Sequence, residues 1–189
     1  MEPLAIIWFV AIALLWTGYL LLEGFDLGVG MHMIFSTRSE RDRRVMLNTI
    51  GPVWDGNEVW LITAVAALFA AFSPWYAALL SALYVPLTLA LLGLIVRAVG
   101  IEYRGKVGTR VWATFWTYMI GLGSAAVAFF IGALLALTSI GLPIDGNGDR
   151  VGGPFAWLSW PALVGGLAVV GFALAHSATF LALKADGPV

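Results

Sequence analysis

The chain has 189 residues, 61% of them hydrophobic and 11% charged, with Lys+Arg 10 against Asp+Glu 11 for a formal net charge of -1, and its mean hydropathy is +0.93. Soluble domains carry roughly 25% charged residues, so too few charges are present to cover a water-facing globule and the chain is expected in a bilayer. Balanced charge excludes the clustered basic footprint of a nucleic-acid binder, and the absence of cysteine excludes disulfides, thiolate metal sites and a cysteine nucleophile.

A helix needs about 20 residues to cross about 30 Å of hydrocarbon, and five segments are expected to do so. The first runs over 4–35, the second over 45–72, the third over 76–97, the fourth over 112–138 and the fifth over 157–183. None shows the period-2 alternation of a membrane barrel strand, and continuous apolar runs satisfy their backbone in lipid as helices. Met1-Glu2-Pro3 supplies no basic region ahead of the first run, so a cleavable signal peptide is not expected. Glycines within the spans, among them Gly18, Gly28, Gly132 and Gly165, suit close helix packing.

Basic residues cluster after the first span (Arg38, Arg41, Arg43, Arg44) and after the third (Arg97, Arg104, Lys106, Arg110), whereas the loop over 139–156 holds Arg150 alone. The positive-inside rule puts the Arg-rich loops in the cytoplasm and the N-terminus outside. The expected fold is an all-α integral membrane protein forming a single domain over 1–189, with five transmembrane helices of which the first four form a bundle. The loop from Gly141 to Arg150 is Gly- and Asp-rich turn material without a trusted metal-ligand spacing.

Four acids fall inside the predicted spans: Glu23 and Asp26 on the first, Asp55 and Glu58 on the second. A carboxylate in the bilayer costs at least about 2.5 to 3.5 kcal/mol, and each pair is spaced i, i+3, on one helical face. Asp26 precedes Ser36 by ten residues and Asp55 follows Val45 by ten, which at about 1.5 Å per residue places both roughly 15 Å from the inner membrane edge. On antiparallel neighbours these acids can face one another, with Arg97 as a nearby cation. Three readings stay open: a proton relay through the acids, waters and Asn57; a buried polar lock satisfied by Arg97; and spans shifted so that the acids reach interfacial water. His32, between Met31 and Met33, and His176 are weak candidates for haem ligation. Trp8, Trp75, Trp112 and Trp157 sit near span ends as belt residues, while Trp54 and Trp60 lie deeper, beside the acids.

Three stretches then carry a resemblance: Gly24-Phe25-Asp26-Leu27-Gly28-Val29-Gly30; the block from Asn48-Thr49-Ile50-Gly51-Pro52-Val53-Trp54-Asp55-Gly56-Asn57-Glu58 through Val59-Trp60-Leu61-Ile62-Thr63; and Arg97-Ala98-Val99-Gly100-Ile101-Glu102-Tyr103-Arg104. Together they resemble subunit II of cytochrome bd-type quinol oxidases. The resemblance implies a haem-free subunit of a respiratory complex in a bacterial or archaeal plasma membrane. That complex oxidises quinol and reduces dioxygen to water with cytoplasmic protons. The haems, b and d, belong to a similarly folded subunit I, the implied partner in the bilayer, and a small accessory membrane subunit can join them. No cofactor is expected on this chain. Carried onto this sequence, Asp26, Asp55 and Arg97 match positions of a proton channel from the cytoplasmic side, and Trp60 matches a position near a dioxygen route. Glu23 and Glu58 join the proton pathway through their shared helical faces. The family has a second half of similar helical design, so the chain reads as its N-terminal half, with the fifth span starting the remainder. The rival classes are a secondary transporter or channel using the same acids, for which Gly51-Pro52 would be a helix break, and a pure scaffold subunit.

Overall fold

The computed structural model describes residues 2–37 and 39–185, so Met1 and the loop cation Arg38 lie outside the described residues. Seven helices form among them: α1 (Pro3–Phe35), α2 (Glu40–Ile50), α3 (Trp54–Ala71), α4 (Ser73–Ala82), α5 (Tyr84–Tyr103), α6 (Arg110–Ile140) and α7 (Trp160–Lys184). Four of these, α1, α5, α6 and α7, are long and apolar enough to cross a membrane.

This corrects the expectation of five spans. The predicted second span is cut at Gly51–Val53 into α2 and α3. Pro52 has no N–H to donate to the Asn48 carbonyl, and the chain leaves helical geometry at Val53, with φ -127 and ψ -24. The polar residues Asp55, Asn57 and Glu58 then occupy the first turns of the 18-residue α3. The predicted third span is cut at Leu83 into α4 and α5. Pro86, in the first turn of α5, cannot bond back to Ala82 and its ring would clash with that carbonyl. The bundle membership is corrected too. α7, expected outside the four-helix bundle, packs along both α1 and α6.

The bundle is built around α6, the most buried of the long helices, which touches α1, α5 and α7. Its interior has three apolar layers. One end holds Ile12, Leu68, Leu79, Leu83, Leu134 and Trp157. The middle holds Tyr19, Leu27, Leu94, Val127 and Ile131. The Arg-rich end holds Val29, Met33, Met46, Ile50 and Ile120. Because Ile12 of α1 shares a layer with Leu68 of α3, while Asp26 of α1 bonds Asn57 of α3, α1 and α3 run antiparallel. Glycine sets the closest approaches. A Cβ at Gly28 would collide with the Ala173 carbonyl oxygen and the Ser177 hydroxyl of α7, and one at Gly132 with the Gly165 carbonyl.

The amphipathic α2 is capped by Ser39, whose hydroxyl accepts from the Asp42 N–H, and is tied to the far end of α5. Arg104 Nη2 donates to Glu40 Oε2 at 2.8 Å, Arg104 Nε donates to the Thr117 hydroxyl at 2.9 Å, and Arg44 Nε reaches Glu40 Oε1 at 3.4 Å. Partial burial pushes the Glu40 carboxyl up, but the Arg104 and Arg44 guanidiniums outweigh it and hold it below its ordinary value of 4.5. A carboxyl depressed in the folded state stabilises the fold above its unfolded value, and that contribution is lost as pH falls through the folded value. The effect is modest because the Glu40 side chain is 44% exposed.

Gly28→Val in the full-length protein lowers the melting temperature, with an overpacking cost of about 1–3 kcal/mol. Gly171→Ala, where nothing lies within 4 Å of the added carbon, leaves melting unchanged or raises it slightly. Protease sensitivity of the α1–α2 connection rises as pH drops below about 4.5 in the wild type. In Glu40→Gln it is raised already at neutral pH and varies less with acid.

Candidate functional site

Three long elements converge on one guanidinium. Arg97, two turns before the end of α5, is wholly buried, as are Glu23 and Asp26 of α1. Arg97 Nη1 lies 2.7 Å from Glu23 Oε1 and 3.4 Å from Glu58 Oε2 of α3, and its guanidinium carbon stands 5.9 Å from the Trp54 ring centroid. The shorter approach is a charge contact without the alignment of a hydrogen bond, and neither Glu23 oxygen has a hydrogen-bond partner among protein atoms. Glu58 bridges inside and outside, its side chain 20% exposed.

Asp26 sits one turn along α1 and takes a different partner. Asn57 Nδ2 donates to Asp26 Oδ2 at 2.7 Å and approaches the Leu22 carbonyl at 3.4 Å, leaving Asp26 Oδ1 without a protein partner. Asn57 rather than Asp55 therefore stands opposite Asp26. At about 100° per residue, Asp55 lies some 200° around α3 from Asn57, and it is exposed. An acid in the first turn of α3 also meets the positive end of that helix. Its neighbour on the helical face is Glu58, at i+3.

The structure thus gathers Glu23, Glu58 and Arg97 into one contact set, puts Asp26 beside it with Asn57, and leaves Asp55 at the outer edge. Trp60 lies flat on Gly18 of α1, where a Cβ would run into its ring, and stays 38% exposed. Tyr19 was not singled out by sequence reasoning. It is 1% exposed with its hydroxyl unpartnered, and its position four residues before Glu23 was the available signal, since i, i+4 residues share a helical face.

The histidines are engaged elsewhere. His32 Nδ1 pairs with the Ser36 hydroxyl at 2.5 Å and Nε2 with the Leu174 carbonyl at 3.1 Å, so both ring nitrogens are occupied. His176 Nε2 meets the Leu21 carbonyl at 2.9 Å, and its ring stacks on Phe172 at 16°. Both ring nitrogens of His32 and one of His176 are thus hydrogen-bonded. Among the described residues no group of three or more His, Cys, Asp or Glu is placed to hold a metal ion.

Comparison with known proteins matches residues 4–189 to the family described as cytochrome bd terminal oxidase subunit II. The chain is 40% identical over 187 residues to the cytochrome bd ubiquinol oxidase subunit 2 of Bacillus subtilis (strain 168), covering 99% of this chain and 55% of that protein. It is 38% identical over 192 residues to the cytochrome bd-I ubiquinol oxidase subunit 2 of Escherichia coli (strain K12), covering 98% of this chain and 50% of that protein. A probable cytochrome oxidase subunit 2 of Haemophilus influenzae is 35% identical over 187 residues, 97% of this chain and 50% of that protein. The chain spans about half the length of the curated relatives it matches. With several apolar membrane-crossing helices and bacterial relatives, it is a multi-pass protein of the bacterial inner membrane. A match across nearly its whole length and identities of 35% to 40% establish that the chain belongs to the cytochrome bd terminal oxidase subunit II family.

Proposed function

We propose that this chain acts within a membrane quinol oxidase, holding a haem-bearing subunit I in the bilayer and lining access routes for protons and dioxygen. The observation that carries the proposal is the buried set of Arg97, Glu23 and Glu58 with Asp26 and Asn57 beside it. Two carboxyls share one guanidinium there, and a third lies one turn away on α1. Such a set can accept a proton at one carboxyl and release it from another while the scaffold stays fixed, the usual reason for ionisable groups within a membrane.

The geometry supports an order of steps. Asp55, exposed at the start of α3, receives a proton from water. Glu58, one turn on and part-exposed, takes it into the bundle. Arg97 holds Glu58 and Glu23 within reach of one another, and Asp26, oriented by the Asn57 amide, is the innermost carboxyl. Haem chemistry, the transfer of electrons from quinol to dioxygen, belongs in this reading to subunit I. Trp60 stands apart from this line, half-exposed on the α1–α3 seam, as the residue proposed to flank dioxygen entry.

The test uses the full-length subunit assembled with its partner. Asp26→Asn slows quinol-dependent oxygen uptake by about tenfold or more at unchanged haem content, and Glu23→Gln slows uptake per assembled haem to a similar extent. A single proton-transfer group is worth roughly 10²–10⁴, and neighbouring carboxyls compensate in part. Asp55→Asn also slows turnover and leaves the melting temperature unchanged, because the residue is exposed. Poor assembly with normal specific activity in what remains would make these residues a structural lock. Trp60→Ala changes the KM for dioxygen with kcat held; an unchanged KM removes Trp60 from the route.

A further inference from the structure

A second polar feature lies at the Arg-rich end of the bundle, seven residues along α5 from Arg97 and so about 10 Å away. There a cleft of about 830 Å³ opens between α2 and the turn joining α5 to α6. Its lining carries five basic side chains, Arg43, Arg44, Arg104, Lys106 and Arg110, against the acids Glu40 and Glu102. The internal partners do not cancel this surplus. Glu40 is shared by Arg44 and Arg104. Arg43 donates to the Met33 and Thr37 carbonyls, each at 3.1 Å, which leaves its charge unneutralised. Lys106 and Arg110 are exposed and form no ion pair among the described residues.

Arg104 gives the cleft a fixed cation: only 3% of its side chain is exposed, and both Glu40 and Thr117 hold it. Thr109 and Arg110, which open the 31-residue α6, also line the cleft and bring the positive end of that helix to it. Apolar surface adjoins the charge. Ile101 and Val107 line the cleft, and Tyr103, Val111 and Phe115 are exposed at the same end. The Trp112 indole N–H donates to the Tyr103 carbonyl at 2.8 Å, as in an interfacial aromatic belt. Membrane orientation explains why basic residues gather in this loop. It does not explain a cleft that holds a buried, doubly held arginine.

We propose that this cleft binds a phosphate-bearing anion, either the headgroup of an anionic phospholipid or free phosphate, through Lys106 and Arg110 with Arg104 as the positioned cation. Basic pockets between membrane helices on the cytoplasmic side bind such headgroups, and the adjoining apolar side chains suit acyl chains.

The test takes the assembled, delipidated complex and measures binding of phosphatidylglycerol, phosphatidylcholine and inorganic phosphate by native mass spectrometry and thermal shift. Phosphatidylglycerol binds and phosphatidylcholine does not. The double variant Lys106→Gln/Arg110→Gln, both positions exposed and unpaired, binds about tenfold to thirtyfold more weakly, since each basic residue near an anionic headgroup contributes about 1 kcal/mol. Lys184→Gln, on the same side but outside the cleft, binds as wild type. Binding of phosphatidylglycerol that millimolar phosphate does not displace assigns the site to lipid, and saturable phosphate binding without lipid preference assigns it to the free ion. Equal affinity for the two lipids together with no phosphate binding, or a double variant equal to wild type, overturns the proposal. So does a photocrosslinker at Val107 that captures a subunit instead of lipid. Oxygen uptake is not the readout, so failure here leaves the oxidase reading untouched.

Discussion

A buried guanidinium has to be neutralised where it sits, and that constraint organises this bundle. Removing an ion from water costs several kcal/mol even after relaxation. Arg97 is wholly buried, so α5 is held where Glu23 of α1 and Glu58 of α3 can reach its Nη1, with the Trp54 face beside the guanidinium. Three elements from distant parts of the sequence are thereby fixed at one level. The Asn57 amide on Asp26 adds a second tie between α1 and α3 one turn away, so the pair is held in register as well as in proximity.

Packing makes this arrangement possible. Between apolar helices in lipid, association depends on close van der Waals contact and polar ties, since lipid is as apolar as leucine. Gly28 brings α1 onto α7, and Gly132 meets Gly165 where α6 meets α7. Those contacts hold the frame while α5, also packed on α6, carries Arg97 into the interior.

Much of this was legible in the sequence. The limits of α1, α6 and α7 follow from hydropathy alone, and the scarcity of acids made Glu23, Asp26 and Glu58 visible. Arg97 could be placed near them because the positive-inside pattern fixed the depth of its helix end. The count of spans was not legible. Summed hydropathy passes over Pro52 and Pro86, whose local backbone effects cut two apolar runs into pairs of helices. The partner of Asp26 was missed for a related reason. Matching residue counts from the membrane edge assumed one continuous second helix, whereas the break at Gly51–Val53 resets the rotation of α3, so that Asn57 faces α1 and Asp55 does not. The ties of Arg104 to Glu40 and Thr117 were unreadable too, because they join elements whose packing only the tertiary structure sets.

The central claim is that Arg97 and Glu23 act as a coupled pair on which the bundle depends. A double-mutant cycle on thermal unfolding of the assembled protein, with Arg97→Met, Glu23→Gln and their combination, tests it directly. Removing one partner of a buried pair costs about 3–5 kcal/mol, because the other charge is left uncompensated. Arg97→Met alone should therefore lower the melting temperature strongly, and adding Glu23→Gln should restore much of the loss. If the two effects instead simply add, to within about 0.3–0.5 kcal/mol, the pair is not coupled and the account of the bundle given above is wrong.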